Sequence, residues 1–390
     1  MLPRIVYLLA GFLLAAAAAE AVLHAFPYST GYGQRSINPQ NPIALGTSYR
    51  QYTYSRDWSF HFANSGILNN RGFRAPYDYM PDPNAVAVIG NSFVQADQLT
   101  TDKRMTERLG SLLGRRAYAL GIDGFSLVDY LAGSRWAVAE FGSRTVLVLL
   151  TTEDLVRSCE RRTGQHYLRY SNGEISMRLV NRPEPSLIKR LLNGSSLFRY
   201  LFDNLHAPAN WVRGWKRDNH APAATPLVPR AASETASDEG QAGAGAAAQN
   251  GPAPPGPPPA PGVAAPTATG CGSAQFQSAA TGYLLTAFHD LETRTGARVI
   301  FVLAPDYWQR HTARAGTLGA IRDVDIFAER AAQSGLDVVS LEEAFATASR
   351  DGSALSLMPI DRHWNALAND VAARTIADFI RERLGETAAR

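Results

Sequence analysis

Five short apolar runs, each followed by a stretch of helical periodicity, constrain this chain more than any other feature. They are AVAVI (85–89), AYALG (117–121), TVLVLLT (145–151), RVIFVLAP (298–305) and LDVVSL (336–341). Continuous apolar runs of this length read as strands buried on both faces, the pattern of a parallel sheet rather than of a half-solvated antiparallel one. Segments 101–114, 126–141, 274–295, 323–334 and 364–384 carry helical patterning. Such alternation predicts right-handed crossovers that cover both faces of the sheet. The expected fold is α/β, a three-layer α/β/α sandwich around a central parallel five-stranded sheet.

Two stretches interrupt the alternation. Within 161–219, YLRYSNGEISMRLV reads as a hairpin turning at Asn172-Gly173. After it, SLIKRLLNGSSLFRYLFDNL reads as an amphipathic helix broken at Asn193-Gly194. Together they form a cap insertion, its apolar stripe expected on its own domain, with a membrane surface or a partner as the other uses of such a face. Residues 220–270 are Ala/Pro/Gly-rich, with PAPPGPPPAPG at their centre and almost nothing large and apolar to bury. They read as a disordered low-complexity loop that interrupts one domain, 85–160 and 271–390, behind a lead-in segment, 27–84. At 390 residues and 45% hydrophobic, the chain can bury one sizeable core. A formal charge of +3, evenly spread, gives no argument for nucleic acid as a partner.

Residues 1–26, MLPRIVYLLAGFLLAAAAAEAVLHAF, put Arg4 ahead of an apolar run from Ile5 to Ala19. This is a signal peptide cleaved near AAA or AEA, or, with Ala21 to Phe26 extending the run toward the ~20 residues of a bilayer span, an uncleaved anchor in the inner membrane. On either reading the body lies outside the cytoplasm, in the periplasm or beyond. There the two cysteines, Cys159 and Cys271, can remain as thiols or pair. A bridge closing so long a loop is worth about 4–5 kcal/mol in the chain-entropy model.

Two stretches carry chemistry. In VIGNSFVQAD, Ser92 follows the first strand's end, where open α/β sheets bind ligands. By itself it reads equally as a turn or cap residue. In MPIDRHWNALANDV, Asp361 and His363 lie two apart in a loop before the last helix. If that loop is extended, the carboxylate reaches the imidazole, the pairing that orients a general base. The alternative is a histidine capping the helix.

Together, GNS after the first strand and DRHWN before the last helix resemble the SGNH/GDSL hydrolase superfamily. NNRGFRAP (69–76) resembles an approach to the first strand seen in an exported, membrane-anchored bacterial branch linked with surface polysaccharides. The shorter D-x-H spacing with Trp364 after His363 resembles proteins that acetylate alginate-type polysaccharides. The resemblance covers roughly residues 69–160 and 274–385. It implies a flavodoxin-like, SGNH-type sandwich in which Ser92 is the nucleophile, His363 the base and then acid, and Asp361 its orienter. The oxyanion donors would be the amides of Ser92 and Gly124, the latter in ALGIDGFS. Asn91, Thr152, Glu153 and Trp364 would line the pocket. The chain departs from the pattern at Asn91, where Asp is usual, and at Glu153-Asp154, where Asn-Asp is expected. An ionised carboxylate cannot donate to an oxyanion, so Glu153 points away, is protonated, is replaced by the Thr152 hydroxyl, or leaves catalysis weak.

Three functions are compatible with these residues. The first is an acyl-serine esterase or O-acyltransferase acting on a carbohydrate or polysaccharide ester. The second is a scaffold that keeps the fold without the chemistry. The third is a transferase fed by a membrane acyl-donor protein. Arg157, Arg161, Arg162 and Arg169 read as solvated surface able to meet an anionic sugar, and Asp306 and Trp308 follow the fourth strand at the ligand end of the sheet. No metal-ligand spacing or glycine-rich phosphate loop is present, so no cofactor is expected.

Overall fold

The computed structural model describes residues 2–33, 35–171, 173–207, 273–305 and 315–385. The loop 220–270, Cys271, Asn172, Asp306 and Trp308 lie outside the described residues. The chain opens with α1, Leu2–Leu23, a 22-residue apolar helix whose candidate span Pro3–Leu23 is long and apolar enough to cross a membrane. A two-stranded antiparallel hairpin follows, β1 (Gln51–Arg56) with β2 (His61–Ile67). The lead-in carries no strong periodicity, and the hairpin was not expected from it.

The five apolar runs are strands β3 (Val86–Gly90), β4 (Ala117–Gly121), β5 (Thr145–Leu150), β8 (Arg298–Leu303) and β9 (Asp337–Ser340). They pair in parallel in the order β4-β3-β5-β8-β9. Taken in chain order this is 2-1-3-4-5, the flavodoxin-like arrangement, with its switch point between β3 and β5. The period of two sends alternate residues to opposite faces. Ala87, Ile89, Val146, Val148 and Phe301 enter one core cluster. Val86, Val88, Leu147, Leu149 and Ile300 enter the other.

Helices close both faces. On the first lie α4 (Leu127–Phe141), α8 (Ala274–Thr295) and α9 (Ala315–Gln333), which bring Leu131, Phe288 and Phe327 into the first cluster. On the second lie α3 (Met105–Leu113), α10 (Glu342–Ala348) and α11 (Ala366–Leu384), which bring Leu109, Phe345 and Ile376 into the second. Each layer therefore removes one set of strand side chains from water, the main stabilising term in such a fold.

Between β5 and α8 lie the short helix α5 (Asp154–Arg157) and the hairpin β6 (His166–Ser171) with β7 (Glu174–Leu179). Beyond them are α6 (Leu187–Leu192) and α7 (Ser196–Arg199), separated at Asn193-Gly194. The expectation that this stripe packs on its own domain fails for α6, where Leu187, Ile188 and Leu191 are each about 70% exposed. A six-residue helix between Pro185 and Gly194 is too short to lie across the domain.

The motif NNRGFRAP has a structural reason. Asn69 Oδ1 accepts from the amides of Arg71 and Phe73. Gly72 has φ +78°, and a Cβ there would stand 2.0 Å from the Gly46 carbonyl oxygen. Arg74 is buried and donates to the carbonyls of Ala96 and Leu99 and to the Asp97 carboxylate. The motif thus clamps the loop that follows Ser92.

Candidate active site

The site is built at the carboxyl ends of β3 and β5, on either side of the switch point. Past β3, Asn91 caps the one-turn helix α2 (Ser92–Gln95), its side chain accepting from the Phe93 amide at 3.1 Å. Its Nδ2 donates to Thr151 Oγ1 at 2.9 Å and to Asp154 Oδ1 at 3.2 Å. Both ends of this buried amide are therefore committed to holding the β3 turn against the end of β5, and Ser92 is presented at the first position of α2.

Facing it, His363 places Nε2 2.7 Å from Ser92 Oγ, across 271 residues of sequence. Its Nδ1 pairs with Asp361 Oδ1, which also accepts from the His363 amide at 2.8 Å. Asp361 is fully buried at its side chain, and His363 is 16% exposed. The amides of Ile360 and Asp361 fold back onto the Leu357 carbonyl, and the Leu357 amide bonds His363 O, so a tight turn leads into Asp361, whose carboxylate then holds both the amide and the ring of His363.

Sequence reasoning missed Arg56. At the end of β1, its Nη1 bonds the second oxygen of Asp361. Asp361 thus holds a cation on one side and the imidazole on the other. Burial alone would push its carboxyl up, but the hydrogen bonds and charge of His363, with the charge of Arg56, bring it down to about 2. Tyr54 lies beside the same pair, its phenol pushed well up by burial and by the Asp97 and Asp361 charges. No sequence pattern marks a contact between residues 56 and 361.

Gly124 lies in the turn after β4 with φ +78°, a conformation that favours glycine. The Ile122 amide bonds the Gly90 carbonyl at 3.1 Å, tying this turn to the one that carries Ser92. Among the described residues no acceptor takes the N–H of Ser92 or of Gly124. The side chains of Gln165 and Arg162 come within 3.4 and 3.6 Å of where a Gly124 Cβ would stand.

Behind β5, Glu153 is ion-paired with Arg157 one helical turn on. Its neighbour Asp154 is buried, accepts from the Thr151 amide at 2.6 Å and is pushed up to about 7 by desolvation. Thr152 is buried. Trp364 packs between Phe93 and Phe345, with ring centroids 5.1 and 4.9 Å away, and is 4% exposed. It is core, and Phe93 is the ring that meets His363, at 4.9 Å. Arg162 pairs with Glu160 and Arg161 lies over Tyr167. Cys159 is disulfide-bonded.

Fold and site together define a class: a flavodoxin-like α/β/α protein carrying a serine, a histidine and an aspartate hydrogen-bonded in series at its switch point. No family model matches the chain, and no curated protein is similar to it. Among solved structures it is similar to a member of the lipolytic G-D-S-L family from Veillonella parvula, at 10% identity and TM-score 0.34, over 75% of this chain and 96% of that one. It is similar also to a GDSL-like lipase from Bacteroides thetaiotaomicron, at 9% identity and TM-score 0.36, over 77% and 89%. An acetyl xylan esterase from Butyrivibrio proteoclasticus matches at 8% identity and TM-score 0.34, over 83% and 68%. At such distances the chemistry has to be read from the three side chains themselves.

Proposed function

We propose that this chain is an extracytoplasmic SGNH-type serine enzyme, held to the membrane by α1, that processes small acyl esters of a carbohydrate or surface polysaccharide. The observation that carries the reading is the relay from Ser92 Oγ through His363 to Asp361. With Nδ1–H donated to Asp361, the Nε2 lone pair faces the serine hydroxyl, the tautomer a general base requires. Ser92 Oγ attacks the ester carbonyl while Nε2 takes its proton, and the new oxyanion meets the unpaired amides of Ser92 and Gly124. The proton then passes from Nε2 to the departing sugar oxygen, leaving an acyl-serine. Water attacking that ester, with His363 again as base, gives an acid and makes the protein an esterase. A sugar hydroxyl in its place gives a new ester and makes it an O-acyltransferase. Export and the insertion beyond β5 support a glycan ester as substrate, and a membrane protein would supply the acyl group in the transferase case.

The test is labelling by a fluorophosphonate, together with hydrolysis of chromogenic acetyl esters by the full chain and by Ser92→Ala. Labelling confined to Ser92, and turnover lost with it, supports the enzyme. Mass spectrometry of an oligosaccharide acceptor separates transfer from hydrolysis. The second reading, a scaffold without chemistry, is favoured by Glu153, a carboxylate that cannot donate to an oxyanion. It prevails if Ser92 resists the label.

A further inference from the structure

We propose that α6, with the aromatic residues around the end of α1, forms a bilayer-binding face that lays the protein against the membrane holding α1. The inference rests on the anchor reading above. All six residues of α6 are exposed: Leu187, Ile188, Leu191 and Leu192 are large and apolar, and Lys189 and Arg190 are cationic. A helix of six residues has no stability of its own in water, and soluble surfaces seldom leave such a cluster uncovered. Apolar side chains beside lysine and arginine suit the boundary between acyl chains and anionic headgroups.

What covers this face follows from its neighbour. Across Asn193-Gly194, the start of α7 is fastened to α1. Ser195 Oγ and the Leu197 amide donate to Glu20 Oε2 at 2.8 and 2.9 Å, and the Ser196 amide donates to Oε1 at 2.7 Å. Ser196 Oγ adds a bond to the Glu20 carbonyl at 2.9 Å. Glu20 stands where the apolar run of α1 ends, so a membrane that takes α1 reaches the level of α7. Around the same point Phe26 stacks on Phe60, Phe60 meets Tyr200, and Tyr200 Oη donates to the Trp58 carbonyl. Trp58 is 75% exposed. Tryptophan and tyrosine at the end of a spanning helix are the usual occupants of the headgroup region. A bilayer that takes α1 thus comes up to the patch at α7 and at the aromatic residues beside it.

The full chain in vesicles of phosphatidylethanolamine and phosphatidylglycerol tests this, with the photocrosslinker benzoylphenylalanine replacing Ile188, Leu191, Leu9 or Glu343 in turn. Lipid adducts are expected by mass spectrometry from positions 188 and 191 as from position 9 in α1, about tenfold above those from Glu343 on α10. Adducts at 9 with none at 188 and 191, or crosslinks from 188 and 191 to a second copy, overturn the face and leave the anchor standing. No adduct at 9 overturns both. Ester hydrolysis, measured on the same samples, reports separately on Ser92.

Discussion

Replacing Arg56 by glutamine removes the cation that shares Asp361 with His363. The Arg56 side chain is 32% exposed, so an effective dielectric of ~40 is appropriate, and with guanidinium and carboxylate charges on the order of 4 Å apart their attraction is about 2 kcal/mol. Without Arg56 that attraction is gone and the Asp361 carboxylate is held by His363 alone. On a chromogenic acetyl ester at neutral pH, kcat/KM should then fall by up to about 30-fold, the factor to which 2 kcal/mol corresponds. Asp361, held at about 2 in the native protein, should at the same time become easier to protonate. Because a depressed carboxyl stabilises the fold above its unfolded pKa near 4 and that contribution is lost as pH falls toward 2, the Arg56→Gln protein, with its carboxyl less depressed, should start less stable at neutral pH and lose less on acidification through this window. Tyr54 and Asp57 also act on Arg56, so the measurement is made on Arg56→Lys as well, which restores a charge and should restore most of the rate. An equal fall in rate in Arg56→Gln and Arg56→Lys would refute the reasoning and leave Arg56 a structural contact.

Other substitutions probe the rest of the site. Asn91→Asp sets a second carboxylate against Asp154, already pushed up to about 7 by burial. The two can share a proton in acid but not once both ionise, so the loss in urea stability should grow from about 1 kcal/mol at pH 5 to about 3 at pH 8, and a pH-independent loss would contradict it. Gly124→Ala, at φ +78°, strains the turn whose amide the proposed mechanism assigns to the oxyanion, and kcat should fall about 100-fold with the fold intact by circular dichroism. Gly72→Ala cannot be relieved by side-chain movement because its clash is with the backbone of Gly46. It should cost about 3 kcal/mol or more in thermal or urea unfolding without touching Ser92.

The sheet was legible because each strand is buried on both faces, so its apolar run is continuous and its period needs no partner to be recognised. The hydroxyl, imidazole and carboxylate were legible for a different reason: each lies in a short local motif next to a strand or helix end. What escaped was supplied by segments with no such mark. Arg56 reaches Asp361 from a hairpin in a lead-in without periodicity, and only the folded chain brings them together. The departures at 91 and 153 could be seen but not interpreted one at a time. In the structure Asn91 donates to Asp154, where an aspartate would have set two carboxylates together. Glu153, which cannot donate to an oxyanion, has its charge taken up by Arg157. The two departures are thus met by separate local partners, the Asp154 carboxylate for Asn91 and the Arg157 guanidinium for Glu153. The contact with Asp154 commits the Asn91 side chain to holding the turn, and the proposed mechanism accordingly draws its oxyanion donors from the main-chain amides of Ser92 and Gly124.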